Sequence, residues 1–324
     1  EKSDIILISI IIPNYNKAKY ISKTINSLKS QTFKDWECII IDDFSNDESI
    51  EIVNKSIIND NRFVVFKNEK NRGACYSRNY GLNKAKGDFV LFLDSDDILS
   101  SNCLLDRKDI FNHNINFDFL VFPIGSFHKK IGDSKYVWNN FSGDHLKRFL
   151  SHDLPWAICS VLWKKSFLNK IGGFNESLVR LQDVDLHTKA LLYENINYKT
   201  FPNNNPDCFY RINYERIRNY NDFALNDVKG KIQYINIYSN IDALNEKYLK
   251  GTFFECFNLP ILFYRKGFIK FNYLKYLIQY ILENSDGVNL NYIDLTIIKL
   301  YIKIRTTGLY FRGCNRLFKL IIIR

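Results

Sequence analysis

The sequence predicts an α/β fold, a mostly parallel sheet covered by helices and followed by a helical C-terminal extension. Three observations carry this. Short β-branched runs alternate with helix-spaced segments through the first hundred residues. The apolar runs are continuous rather than alternating, as in strands buried on both faces. Beyond about Tyr214 strand signals cease, and long segments rich in Tyr, Phe, Ile and Lys take over.

Residues 5–12 read as a first strand stopped by Pro13. Residues 17–29 place Ile21, Ile25 and Leu28 at helical spacing. Residues 37–41 follow as a second strand, and 45–57 as a helix capped from Ser45 or Asn46. A strand at 63–66, a helix at 74–85 ended by Gly87, and a strand at 89–93 complete the first half. Such units stack in parallel, and their ligands sit beyond the carboxyl ends of the strands. Pro13-Asn14-Tyr15, Asp42-Asp43 and the run from Asp94 to Asp97 all fall there.

From Asn116 to Arg211 the pattern is mixed. Strands are expected at 117–124, 159–163, 198–201 and 208–211, with a helix at 181–193. Helices are expected at 222–248, 272–282 and 292–304. The domain boundary is placed near Asn213, giving a domain of residues 1–213, with halves 1–100 and 101–213, and a helical region 214–324.

A chain of 324 residues with 46% hydrophobic and 25% charged residues can bury a large core and carry a second unit. The net charge of +10 is unevenly spread: residues 261–324 hold eleven Lys/Arg against three Asp/Glu. These bases are interleaved with Ile, Leu and Tyr, unlike a phosphate-tracking patch, so no nucleic-acid partner is expected. The seven cysteines are scattered, odd in number and never spaced CxxC, which argues against a disulfide framework or zinc site and for a reducing cytosol. No run reaches the ~18 apolar residues of a spanning helix. The first apolar run follows Asp4, is short and lacks a basic flank, so it is not read as a signal peptide.

The most informative feature is the apolar run Phe89-Val90-Leu91-Phe92-Leu93 ending in Asp94-Ser95-Asp96-Asp97. Carboxylates crowded at a buried strand tip require a cation. Hard oxygen ligands suit Mg²⁺ or Mn²⁺ shared with a substrate's phosphates. An EF-hand is excluded, because Ile98 and Leu99 stand where an oxygen ligand and Gly are needed. Asp43 at another tip can accept from the imide N–H of a planar base such as uracil, with Tyr15 as an aromatic wall. For Asp47 a helix start favoured by the dipole is as good a reading as a functional one. Asp183 and His187 share a helix face and read as a surface pair or as metal ligands.

Together these residues resemble the family 2 glycosyltransferases with the GT-A fold, a Rossmann-like architecture, over about Ile8 to Arg211. The resemblance rests on Ser9-Ile10-Ile11-Ile12-Pro13-Asn14-Tyr15-Asn16, Ser30-Gln31-Thr32-Phe33, Ile41-Asp42-Asp43-Phe44-Ser45-Asn46-Asp47, Asn71-Arg72-Gly73, Ser77-Arg78-Asn79-Tyr80-Gly81, Asp94 to Asp97, and Gly172-Gly173-Phe174-Asn175-Glu176 before Asp183. It implies an inverting bacterial transferase moving a sugar from a nucleotide diphosphate, most often UDP, to a glycan or lipid-linked hydroxyl in surface polysaccharide or glycoconjugate synthesis.

Under that resemblance Pro13, Tyr15 and Asp43 cradle the base, Arg78 assists the nucleotide, and Asp96 meets ribose or metal. Asp94, Asp96 and Asp97 are the candidate ligands of Mn²⁺ or Mg²⁺, and Asp183 is the general base. Trp156 and Gln182 face the acceptor; Gln182 stands where the family usually has Glu. Asn213 follows Tyr210-Arg211-Ile212 where many members carry a diphosphate-binding His. The expected place is the cytoplasm, at the inner face of the membrane. The basic tail suits an anionic lipid surface, each base contributing about 1 kcal/mol there, and suits a solvated helical cap somewhat better. The alternative is a non-catalytic sugar-nucleotide or membrane-binding module of the same fold. A receiver-type signalling domain does not fit, since a strand and helix precede Asp42.

Overall fold

The first apolar run forms β1 (Ile8–Asn14), and α1 (Ile21–Lys29) turns Ile21, Ile25 and Leu28 inward. In this computed structural model the described residues are 6–112, 116–212, 219–241, 243–308 and 313–324. The expected strand residue Ile5 and the boundary residue Asn213 lie outside them. Helix α1 begins later than expected because the Lys17 carbonyl accepts the N–H groups of Tyr20 and Ile21, closing a separate turn. Next come β2 (Trp36–Asp42), α2 (Ser49–Ser56), β3 (Phe63–Lys67), α3 (Gly73–Lys84) and β4 (Phe89–Phe92). Helix α2 also starts late: Asp42 captures the Ser45 N–H, and Asp47 that of Ser49, so the loop spends those residues on turns rather than caps.

After β4 come β5 (Ile98–Leu99), α4 (Cys103–Asn112), β6 (Phe119–Val121), β7 (Ile124–Phe127), β8 (Val137–Trp138) and α5 (His145–Leu150). A 3₁₀ turn at Ile158–Ser160 leads to β9 (Val161–Lys164), α6 (Lys165–Lys170) and α7 (Gln182–Leu191), then β10 (Tyr198–Thr200) and β11 (Cys208–Arg211). The strand expected at 117–124 is thus two, β6 and β7, which join different sheets.

Seven strands pair in the order β10-β6-β9-β4-β1-β2-β3. Pairs β4–β1, β1–β2, β2–β3 and β10–β6 are parallel, whereas β9 runs antiparallel to both neighbours. Strands β2 and β4 are buried along their whole length, which is why Phe89–Phe92 and Cys38–Ile41 are continuous apolar runs. Chain order reverses between β1 and β4, a topological switch point. Helix α3 lies so close to β1 that a Cβ on Gly81 would stand 2.5 Å from Ile11 Cγ2. The smaller sheet has the order β5-β11-β7-β8.

The chain divides into two units. The first comprises Glu1–Ser142, Pro155–Glu176 and Lys189–Asn213; the second comprises Gly143–Leu154, Ser177–Thr188 and Tyr214–Arg324. Among the described residues, six helices end the chain: α8 (Tyr220–Tyr238), α9 (Ala243–Glu255), α10 (Asn258–Arg265), α11 (Phe271–Glu283), α12 (Tyr292–Thr306) and α13 (Cys314–Ile323). The single helix expected at 222–248 is interrupted after Ser239, where Ser and Asn favour turns. Pro260 is tolerated in the first turn of α10. Val228, Phe253, Phe257, Ile261, Leu277 and Ile298 are among the residues of this unit's core.

His187 belongs to that second unit and corrects the expected surface pair, because it is buried with its ring 5.2 Å from Phe149. Burial pushes its pKa down to about 3, and burial with Lys231 and Lys319 nearby pushes His152 down as well. Native pKa values below the unfolded ones mean the unfolded chain binds the extra protons, so stability falls as pH drops below about 6.5. At pH 5 His187 alone is expected to cost about 2 kcal/mol. Replacing it by Leu should flatten the pH dependence of urea unfolding between pH 7 and 5; an unchanged slope would refute the assignment.

Candidate active site

The loops after β1 and β2 are built on buried polar side chains. Asn14 donates through Nδ2 to Asp42 Oδ1 (2.9 Å), Ser45 Oγ (3.3 Å) and Ser49 Oγ (3.1 Å). Asp42 is therefore structural. Its neighbour Asp43 accepts three N–H groups: Asn68 Nδ2 and the Arg72 backbone on Oδ1, and the Gly73 backbone on Oδ2, each at 2.8 Å. A carboxylate has about four lone-pair sites, so Oδ2 keeps capacity for one further donor. Gly73 meets this carboxylate with a φ of +86°, a conformation that favours glycine. Pro13 is half-buried and Tyr15, directly after the tip of β1, is exposed.

The tip of β4 gathers the second group. Arg78 on α3 donates to Asp94 Oδ1 at 2.7 Å and lies over the Phe174 ring at 5.2 Å. Its buried Nε finds no hydrogen-bond partner among the described residues. Lys17, in the loop after β1, pairs with Asp96 Oδ2. Asp97 points inward: Oδ1 accepts the Arg211 N–H (2.9 Å), and its carbonyl accepts from Thr24 (2.8 Å). Burial, then the charges of Asp94 and Asp96, hold the Asp97 carboxyl well above the usual range. Arg211 Nε donates to the Asp96 carbonyl at 3.0 Å, tying β11 to the same tip.

The residues suit one kind of cation site and not another. Among the described residues no three His, Cys, Asp or Glu side chains converge as a protein-only cage. Asp94 and Asp96 do offer hard oxygens at one strand tip, the arrangement by which one or two carboxylates hold Mg²⁺ or Mn²⁺ jointly with substrate phosphates.

The segment Gly172 to Glu176 is held by Asn79 of α3, whose Nδ2 donates to the Phe174 carbonyl and to Glu176 Oε1, both at 2.9 Å. Gln182 and Asp183 open α7, in the second unit. The residue before them, Leu181, has φ +59°, rare for a branched side chain and costing of order 1–3 kcal/mol. Its carbonyl accepts the Asp185 N–H at 2.8 Å, and Asp185 in turn accepts from Tyr238 Oη at 2.8 Å. Asp183 itself is half-buried in the first helical turn, where the dipole favours a carboxylate.

Trp156 departs from its expected role. It is 1% exposed and packed among Phe119, Phe141 and Tyr198, so its faces are spent on the core and offer no stacking wall. Sequence reasoning passed over Lys17, Asn68 and Arg211. Lys17 and Arg211 carry no local signal, since they meet the tip of β4 only through contacts between residues far apart in the chain.

Residues 9–159 match the model of glycosyl transferase family 2. The chain is 47% identical over 125 residues to the Escherichia coli UDP-Glc:alpha-D-GlcNAc-diphosphoundecaprenol beta-1,3-glucosyltransferase WfaP, which is 36% of this chain and 49% of that protein. The chain spans less than two thirds of the length of the curated relatives it matches. Among solved structures, S. aureus TarS 1-349 in complex with UDP-GlcNAc superposes over 97% of this chain and 91% of that one, with TM-score 0.65 and 21% identity. The mannosyltransferase PcManGT from Pyrobaculum calidifontis, in complex with GDP-Man and Mn2+, superposes over 98% and 85%, with TM-score 0.57 and 14% identity.

Proposed function

We propose, for a chain whose residues 9–159 belong to glycosyl transferase family 2 and whose fold is GT-A, that it transfers a sugar from a UDP-linked donor to a hydroxyl with inversion. The relatives place it among glycosyltransferases related to bacterial polysaccharide synthesis. The observation that carries the reading is the convergence of Asp43 and Tyr15, Arg78, Asp94 and Asp96 at the carboxyl tips of β1, β2 and β4. That is where such sheets bind ligands.

The base stacks on Tyr15 beside Pro13, and its imide N–H donates to the remaining site on Asp43. Arg78 faces the nucleotide from α3. Asp94 and Asp96 would hold a divalent cation, which would supply neutralisation of charge on the leaving diphosphate. Asp183 takes the acceptor proton as the new C–O bond forms at the anomeric carbon and the bond to UDP breaks, its electron pair leaving with the β-phosphate oxygen. One displacement of an α-linked donor gives a β product. WfaP carries a beta linkage in its name, which supports that outcome. A lipid-linked acceptor at the cytoplasmic membrane face fits the same relative and the basic helical tail. Among the described residues no helix is long and apolar enough to cross a membrane.

Calorimetric titration of UDP against GDP, with Mn²⁺ and then EDTA, tests the donor site. UDP should bind preferentially and in a metal-dependent way. Asp43→Asn, which turns an amide toward the imide N–H, should weaken UDP about 10- to 100-fold, a hydrogen bond to a charged group. Equal binding of GDP, or an unaffected Asp43→Asn variant, would overturn the reading.

A further inference from the structure

Each carboxylate at the tip of β4 has its own counter-group. Arg78 serves Asp94, the Arg211 backbone serves Asp97, and Lys17 serves Asp96. The Lys17–Asp96 pair joins the loops that follow β1 and β4, the two strands between which the sheet reverses its order. The partners differ in freedom. The Asp96 side chain is 7% exposed, whereas that of Lys17 is 24% exposed. A carboxylate so buried needs a counter-charge at all times. An ammonium on a flexible stem at the rim can move elsewhere.

Only the side chain of Lys17 is free to do so. Its neighbour Asn16 is held with φ +52°, its N–H on Ser45 Oγ (3.0 Å) and its Oδ1 accepting from the Asn46 N–H (2.9 Å). Ala18 donates its N–H to Asp47 Oδ2 at 2.9 Å, and the Lys17 carbonyl accepts from Tyr20 and Ile21. A tethered backbone thus carries one ammonium on a flexible stem, partly exposed, to the place where a cation and a diphosphate would meet.

We propose that Lys17 is a latch on Asp96: it holds the place of the divalent cation in the empty enzyme, and moves to a phosphate oxygen when metal and nucleotide bind. The proposal rests on the donor-site reading given above. Two consequences follow from the charges. Metal alone binds weakly, because it must displace Lys17 with no new partner for the ammonium. Metal and nucleotide bind cooperatively, since the diphosphate supplies that partner, and the coupling is reciprocal. Lys17 is here a positioning residue.

The test is Mn²⁺ binding followed by the electron paramagnetic resonance of free Mn²⁺, with and without UDP, alongside thermal melting. Lys17→Met should bind Mn²⁺ alone about tenfold more tightly than the wild type and lose most of the Mn²⁺–UDP coupling. Lys17→Arg should restore both, and Lys17→Gln provides a second neutral variant if Lys17→Met does not fold. Wild-type coupling that persists unchanged in folded Lys17→Met or Lys17→Gln overturns the latch and leaves the donor site standing. A wild type that binds neither Mn²⁺ nor UDP overturns both.

Discussion

Asp183→Asn is expected to lower turnover by about 10²- to 10⁴-fold, the range a positioned general base contributes. The substitution keeps shape and removes the one group nominated to accept the acceptor's proton. Its surroundings argue that position as well as basicity matters. Leu181 is held in a left-handed conformation, its carbonyl is fixed by the Asp185 N–H, and Asp185 is fixed by Tyr238. Backbone strain of that kind persists only where surrounding structure enforces it. Single-turnover transfer from a UDP-sugar, measured beside UDP titration, separates chemistry from binding. Rate should fall while UDP affinity stays the same. A variant that keeps near wild-type turnover would remove Asp183 from the mechanism.

The second large effect concerns stability. Arg107 of α4 is fully buried and grips Asp207 through Nε (2.7 Å) and Nη2 (2.6 Å), with Nη1 on the Cys159 carbonyl at 3.0 Å. Burial opposes the guanidinium charge, yet Asp207 outweighs it and holds the group above its ordinary range. Arg107→Leu strands a carboxylate in the core and is expected to destabilise the first unit by about 3–5 kcal/mol, a loss of roughly 10 °C in melting temperature. Adding Asp207→Asn should recover much of that, because the stranded charge is gone. A double variant as unstable as Arg107→Leu would show that packing, not charge, sets the cost.

That buried arginine also explains what the sequence hid. The first half was legible because β1, β2 and β4 are built on short continuous apolar runs, and the tips of β2 and β4 carry the acidic motifs. Helix α4 was missed because its inward face reads Cys103, Leu104, Arg107 and Phe111, and a charge interrupts the stripe. Helix α7 was expected, but buried Asp185 and His187 made its inner face look like a solvated one. Trp156 was expected to face the acceptor and is buried instead, since composition does not tell which aromatic faces find neighbours. At the candidate site, Asp43 and Arg78 were nominated through motifs, whereas Lys17 is visible only once β1 and β4 are known to be adjacent. Pairing between distant loops is a property of strand order, and local spacing does not encode it.

The second unit is drawn from three separate stretches of chain, Gly143–Leu154, Ser177–Thr188 and Tyr214–Arg324. No single cut in the gene therefore frees either unit, and truncation near residue 213 would leave two orphaned inserts behind in the remainder. Recombination could not exchange this helical unit between relatives as one cassette.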